Sequence, residues 1–130
     1  MKLKEYLLTA LVTVIIIVLS ILPIPEKAPM SDFPLIDKWV HMVMYAGLAL
    51  IMWFDHVVRS GKVMGRKYIL LMLFYPIVLG GLMELLQAYF TTYRSGDWID
   101  FEADAIGAAI GVGLSILANK LWVEKISGQN

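Results

Sequence analysis

Read by polarity alone, the chain divides into four long apolar runs with short polar stretches between them. Residues 6–22 are apolar apart from Thr9, Thr13 and Ser20, and the run stops at the breaker "PIPEKAP". A second run covers 39–54 and is extended at both ends by polar residues, a third covers 68–90, and a fourth covers 105–123. A helix needs roughly 20 apolar residues to cross a hydrocarbon core about 30 Å thick. Counting the polar extensions of the second, each run falls within the working range of about 17–25 residues, and no ten-residue alternation suggests a barrel strand. Backbone groups in lipid must be satisfied within their own segment, so each run is expected to be a helix. The expected architecture is all-α, a single four-helix membrane bundle spanning residues 1–130. Its helices are placed at about 6–22, 37–56, 68–91 and 104–123.

Composition agrees with a bilayer as the solvent. Hydrophobic residues make up 59% of the chain and the mean hydropathy is +0.72, more than a water-soluble domain of this size would carry. Net charge is zero, which gives no reason to expect a nucleic-acid partner. The absence of cysteine excludes disulfides, thiol catalysis and Cys-ligated metal. The first run follows Lys2 and Lys4 as a secretion signal would, but it is long for one and lacks a small-residue cleavage site before Pro23.

Lys and Arg in short loops set orientation. Lys2, Lys4, Arg59, Lys62, Arg66, Lys67, Lys120 and Lys125 fall on one side, and Lys27, Lys38 and Arg94 on the other. The expectation is a multi-pass protein of the cytoplasmic (inner) membrane with both termini in the cytoplasm. The loops 23–36 and 91–102 then face outward.

Polar residues within the runs carry the candidate chemistry. Asp37, His41 and Tyr45 follow an i, i+4, i+8 spacing and share one helix face. Glu84 and Gln87 share a face of the third helix, and Asp100 and Asp104 share one with Gly107 and Gly111. Lys38 and Arg94 lie at the same outer side. Glu84 stands six residues before Phe90, about 9 Å below the helix end. A carboxylate at that depth is a functional hypothesis by default. Plainer readings accompany each residue: the Asp side chains as helix caps, His41 as an interfacial residue, Tyr45 as a packed aromatic, Gln87 as a bond to a neighbouring helix. Asp55 and His56 are expected to be solvated. The inner half offers Thr9, Thr13 and little else. Gly80, Gly81, Gly107 and Gly111 would let backbones approach closely, and Pro76 would kink the third helix and open a cavity on the outer side.

The ordered set Asp37, Lys38, His41, Tyr45, then Glu84 and Gln87, then Arg94, then Asp100, Asp104, Gly107 and Gly111 resembles the VanZ-like family. The resemblance runs from about Asp37 to Gly111. It implies a small multi-helix protein of the cell envelope. The founding member is linked to low-level resistance to teicoplanin, a lipid-tailed glycopeptide, although most VanZ-like proteins lie outside resistance clusters. One departure is clear: the family usually has Asn where this chain has Asp104, which would alter local charge.

Three functions remain open on the sequence. In the first, an outward polar pocket engages membrane lipids, a lipid-linked wall precursor or a lipoglycopeptide, with Lys38 and Arg94 meeting phosphate. In the second, an intramembrane hydrolase or transferase uses His41 or Glu84 as base. In the third, Glu84 carries a cation or proton. A divalent cation among His41 and the carboxylates is compatible with the residue types, without a compact metal motif to mark it.

Overall fold

The computed structural model describes residues 3–22, 36–90 and 98–128, with the side chains of Ile36 and Asp37 outside that description. Every regular element among these residues is helical. A single 3-10 turn, Leu3–Tyr6, leads into α1, Leu7–Ile21. Helix α2 is Ile36–Trp53 and continues into a π-helical turn, Phe54–Arg59. Helix α3 is Arg66–Phe90 and α4 is Trp98–Ser127.

Four continuous helical stretches, of 19, 22, 25 and 30 residues, are long and apolar enough to cross a membrane. Their outer faces carry Leu11, Val14, Val18, Val78, Leu82, Leu114 and Leu117, all exposed. So continuous an apolar surface would be anomalous in water but is the expected face toward lipid. Among the described residues the protein is all-helical, with the spans of a multi-pass membrane protein.

Helix α4 begins six residues earlier and ends four later than the sequence pattern placed it. Its 30 residues reach about 45 Å, beyond the hydrocarbon core, so its charged ends lie outside the most apolar layer. The acids near its start resemble loop residues by composition. Asp100 nevertheless sits in the first turn, where the helix dipole favours an acid. Helix α3 runs unbroken through Pro76, which is fully buried.

Helices α2 and α4 form the tightest pair. A Cβ on Gly107 would lie 2.8 Å from Met42 Cα, and one on Gly111 would lie 2.8 Å from Ala46 Cα. Only hydrogen fits at those two positions, so the backbones approach as in other small-residue membrane contacts. Around this seam pack Tyr45, Leu48, Ala49, Met52, Met72, Met83 and Val112. The start of α2, the end of α3 and the start of α4 thereby meet at one end of the bundle.

Candidate functional site

That end holds most of the polar residues the sequence singled out. Lys38 Nζ donates to Asp100 Oδ1 at 2.6 Å. His41, one turn further into α2, stands between two acids of α4. Its Nδ1 is 2.7 Å from Asp104 Oδ1, and its Nε2 is 3.8 Å from Asp100 Oδ2. Asp104 is 0% exposed, and Glu84, arriving from α3, is 3% exposed. His41, Glu84 and Asp104 each offer one ligating atom, and the three atoms lie within 4.8 Å of one another. Tyr45 is buried a turn below His41.

Helix phase explains the convergence. His41 and Tyr45 are four apart on α2, and Asp100 and Asp104 are four apart on α4. The glycine seam presses those two faces together. Gly80 and Glu84 form the matching face of α3. A Cβ on Gly80 would come within 2.7 Å of Asp104 Oδ2, so the bare glycine makes room for that carboxylate. Gly81 faces a different neighbour, the Phe101 ring, at 3.3 Å from its would-be Cβ.

Several plainer readings are settled by these positions. Asp104 is not a cap: α4 starts at Trp98, which puts Asp104 in the helix interior. The His41 side chain is largely buried between the carboxylates of α4. Gln87 Nε2 donates to the Ser20 carbonyl at 2.8 Å, tying α3 to the last turn of α1. Arg94 and the side chain of Asp37 lie outside the described residues.

The opposite end corrects the sequence reading. Asp55, expected to be solvated, is 0% exposed. Its Oδ2 accepts from Thr9 N at 2.7 Å and Thr9 Oγ1 at 2.9 Å, and its Oδ1 accepts from Arg59 at 2.7 Å. Tyr6, the residue before α1, provides no side-chain cap. Asp55 therefore caps α1 from a different helix, meeting an unpaired N-terminal amide and the positive end of the dipole.

His56 is also engaged. It shares a 2.8 Å hydrogen bond with the Tyr6 hydroxyl and stacks on Tyr68 at 3.6 Å. The π-helical turn brings Asp55 and His56 to these partners, with Ser60 N bonding to Asp55 O at 3.1 Å, five residues back. Lys62 Nζ reaches Glu5 Oε2 at 2.5 Å, and that hydrogen bond holds the ammonium pKa above its ordinary range. The half of the bundle toward this end is thus richer in polar groups than Thr9 and Thr13 alone: Thr13 and the Tyr75 hydroxyl share a 2.8 Å bond, and Ser115 is buried as well. A cavity of about 200 Å³ lies at this end, lined in part by Lys62, Val63, Asn119 and Trp122. The i, i+4 pair Asp55 and Arg59 was the one sequence signal for this cluster.

The fold and the site define a class: a four-helix, multi-pass membrane protein with a buried ionisable cluster at one end of the bundle. No family model matches the chain, and neither does any curated protein or solved structure.

Proposed function

We propose that the cluster at the Lys38–Asp104 end is an outward-facing site for the phosphate-bearing head group of a membrane lipid or lipid-linked wall precursor. The observation that carries this reading is the gathering of Lys38, His41, Glu84, Asp100 and Asp104 at one end of an otherwise apolar bundle. Three helices converge there, and that end adjoins both connecting segments, 23–35 and 91–97. Ionisable groups are retained inside a membrane where they meet each other or a ligand. Lys38, and Arg94 from the sequence, supply donors suited to phosphate.

Orientation follows the distribution of basic residues, which places both termini in the cytoplasm and this site on the outer face. The VanZ-like resemblance of the same residues fits an envelope role, with tolerance of a lipid-tailed glycopeptide as one outcome.

Native mass spectrometry of the purified protein with a polyprenyl phosphate, against phosphatidylcholine, tests the reading. Selective retention of the phosphate lipid, lost in Lys38→Ala and Arg94→Ala, is the expected result. Equal retention of both lipids, or no effect of either substitution, would overturn it.

A second reading draws on the setting of His41, whose two ring nitrogens each face a carboxylate. That arrangement fixes ring orientation, as a general base requires. Turnover of an isoprenoid or phospholipid substrate that disappears in His41→Ala would favour an enzyme; a binding protein would retain lipid without turnover. A proton or cation pathway has less to support it, because both oxygens of Asp55, the buried acid at the inner end, are held by Thr9 and Arg59.

A further inference from the structure

We infer that His41, Glu84 and Asp104 hold one divalent cation of the Mn2+ or Zn2+ kind. The inference deepens the head-group reading and rests on it for the role of the cation, though not for the cation itself.

Two independent observations lead there. The first is convergence: three ligating atoms, one imidazole nitrogen and two carboxylate oxygens, from three helices, lie within 4.8 Å of one another. The second is Asp104 Oδ2. The residue is 0% exposed, its Oδ1 is used by His41, and Oδ2 accepts no hydrogen bond from the described residues. A buried carboxylate oxygen without a donor is costly, and more so when charged. This oxygen points to Gly80, on the face of α3 that carries Glu84 one turn later. The missing side chain at Gly80 gives this oxygen its place.

The geometry suits the donor set. His41 Nδ1 and Asp104 Oδ1 share a 2.7 Å hydrogen bond, which a bound cation would replace with release of its proton. Glu84 contributes its carboxylate from α3, within the same 4.8 Å. With Nδ1 on the cation, Nε2 faces Asp100, and Lys38 anchors Asp100 in turn. A carboxylate behind a ligating imidazole is the usual support for such a ligand. One nitrogen with two carboxylates favours Mn2+ or Zn2+ over Ca2+, which takes six to eight oxygens. Three protein ligands leave positions for an outside oxygen. The described walls of the site hold three carboxylates and one ammonium, so a phosphate meets them best across a cation.

The probe is Mn2+ alone, titrated into the purified full-length protein in detergent and read by electron paramagnetic resonance. One Mn2+ per chain is expected, with nitrogen hyperfine coupling from His41. Binding should be lost in Asp104→Asn and Glu84→Gln, fall about 10- to 100-fold in Asp100→Asn, and be unchanged in Glu102→Gln, an exposed acid on the same helix. The nitrogen coupling in the unaltered protein keeps the test valid if a variant fails to fold. Absence of stoichiometric Mn2+, absence of nitrogen coupling, or full binding in Asp104→Asn would overturn the inference. Retention of polyprenyl phosphate, measured with Mn2+ and again with a chelator, separates the two claims. Mn2+ binding without lipid retention supports the cation and overturns the head-group reading. Lipid retention by a protein that takes up no Mn2+ in the titration overturns the cation and leaves the head-group reading intact, and lipid retention that persists in chelator overturns only the cation's role in holding the lipid.

Discussion

Replacing Gly107 by alanine should pull the seam between α2 and α4 apart. The new Cβ would lie 2.8 Å from Met42 Cα. Carbon atoms in contact prefer about 3.5–4.0 Å, so the backbones must separate by about 1 Å. The obstacle is backbone rather than a side-chain tip, and no rotamer change relieves it. Overpacking of this kind costs about 1–3 kcal/mol. Alanine also removes the helix penalty of glycine, a gain of about 1 kcal/mol. Gly113→Ala is the control: it lies on the same helix and nothing stands within 4 Å of its would-be Cβ. The difference between the two variants therefore isolates the packing effect, about 1–3 kcal/mol. Reversible unfolding in mixed detergent and dodecyl sulfate micelles would measure it. The site should respond too, because Gly107 is one turn from Asp104 and a 1 Å separation takes the 2.7 Å contact with His41 beyond hydrogen-bond range. A Gly107→Ala protein as stable as Gly113→Ala would refute the close-packed seam and the reason given for the convergence of the site.

Other consequences follow from the same contacts. Asp55→Ala removes the cap on α1 and leaves Thr9 N–H without its acceptor, at a cost of about 1–3 kcal/mol by the same unfolding assay; stability equal to the unaltered protein would mean that α1 does not depend on Asp55. Gln87→Leu should cost about 0.5–1.5 kcal/mol through loss of the bond to Ser20 while leaving Mn2+ binding intact, and loss of Mn2+ binding would place Gln87 in the site instead. Lys62, whose pKa is raised by Glu5, should keep its tie to the N-terminal segment through neutral pH and lose it as pH rises through that elevated value. Amide exchange at Glu5 and Tyr6 followed to alkaline pH checks this, and release near neutral pH would contradict it. Single cysteines placed at Ser60 and Ser95 should react with an impermeant thiol reagent only from the cytoplasmic and outer side respectively; the reverse pattern would invert the proposed orientation.

Much of this architecture was legible because the relevant signals are local. Apolar run length marks a spanning helix regardless of its neighbours, and four-residue spacing places His41 with Tyr45, and Asp100 with Asp104, on single faces. The third helix was located to within two residues for the same reason. The start of α4 was misplaced because its acids resemble a loop until a partner is known. Lys38 bonds to Asp100, and that partner is 62 residues away. Asp55 was misread for a related reason. A carboxylate near a helix end is usually solvated, and its burial depends on an amide in α1, 46 residues distant, and on a π-helical turn that polarity patterning does not announce. Sequence spacing indicated which side chains share a face. Which faces meet was decided by Gly80, Gly107 and Gly111, through side chains that are missing.

The most direct test of the head-group reading is the distance between the lipid phosphate and His41. Solid-state nuclear magnetic resonance of the protein in bilayers, with 15N-labelled histidine and a polyprenyl phosphate, reads it through 15N–31P dipolar dephasing. His41 and His56 sit at opposite ends of the bundle, so the two histidine signals serve as mutual controls. Dephasing of the His41 ring alone, abolished by Lys38→Ala, is the predicted result. Bound lipid that dephases neither ring, or dephases His56 instead, would contradict the account.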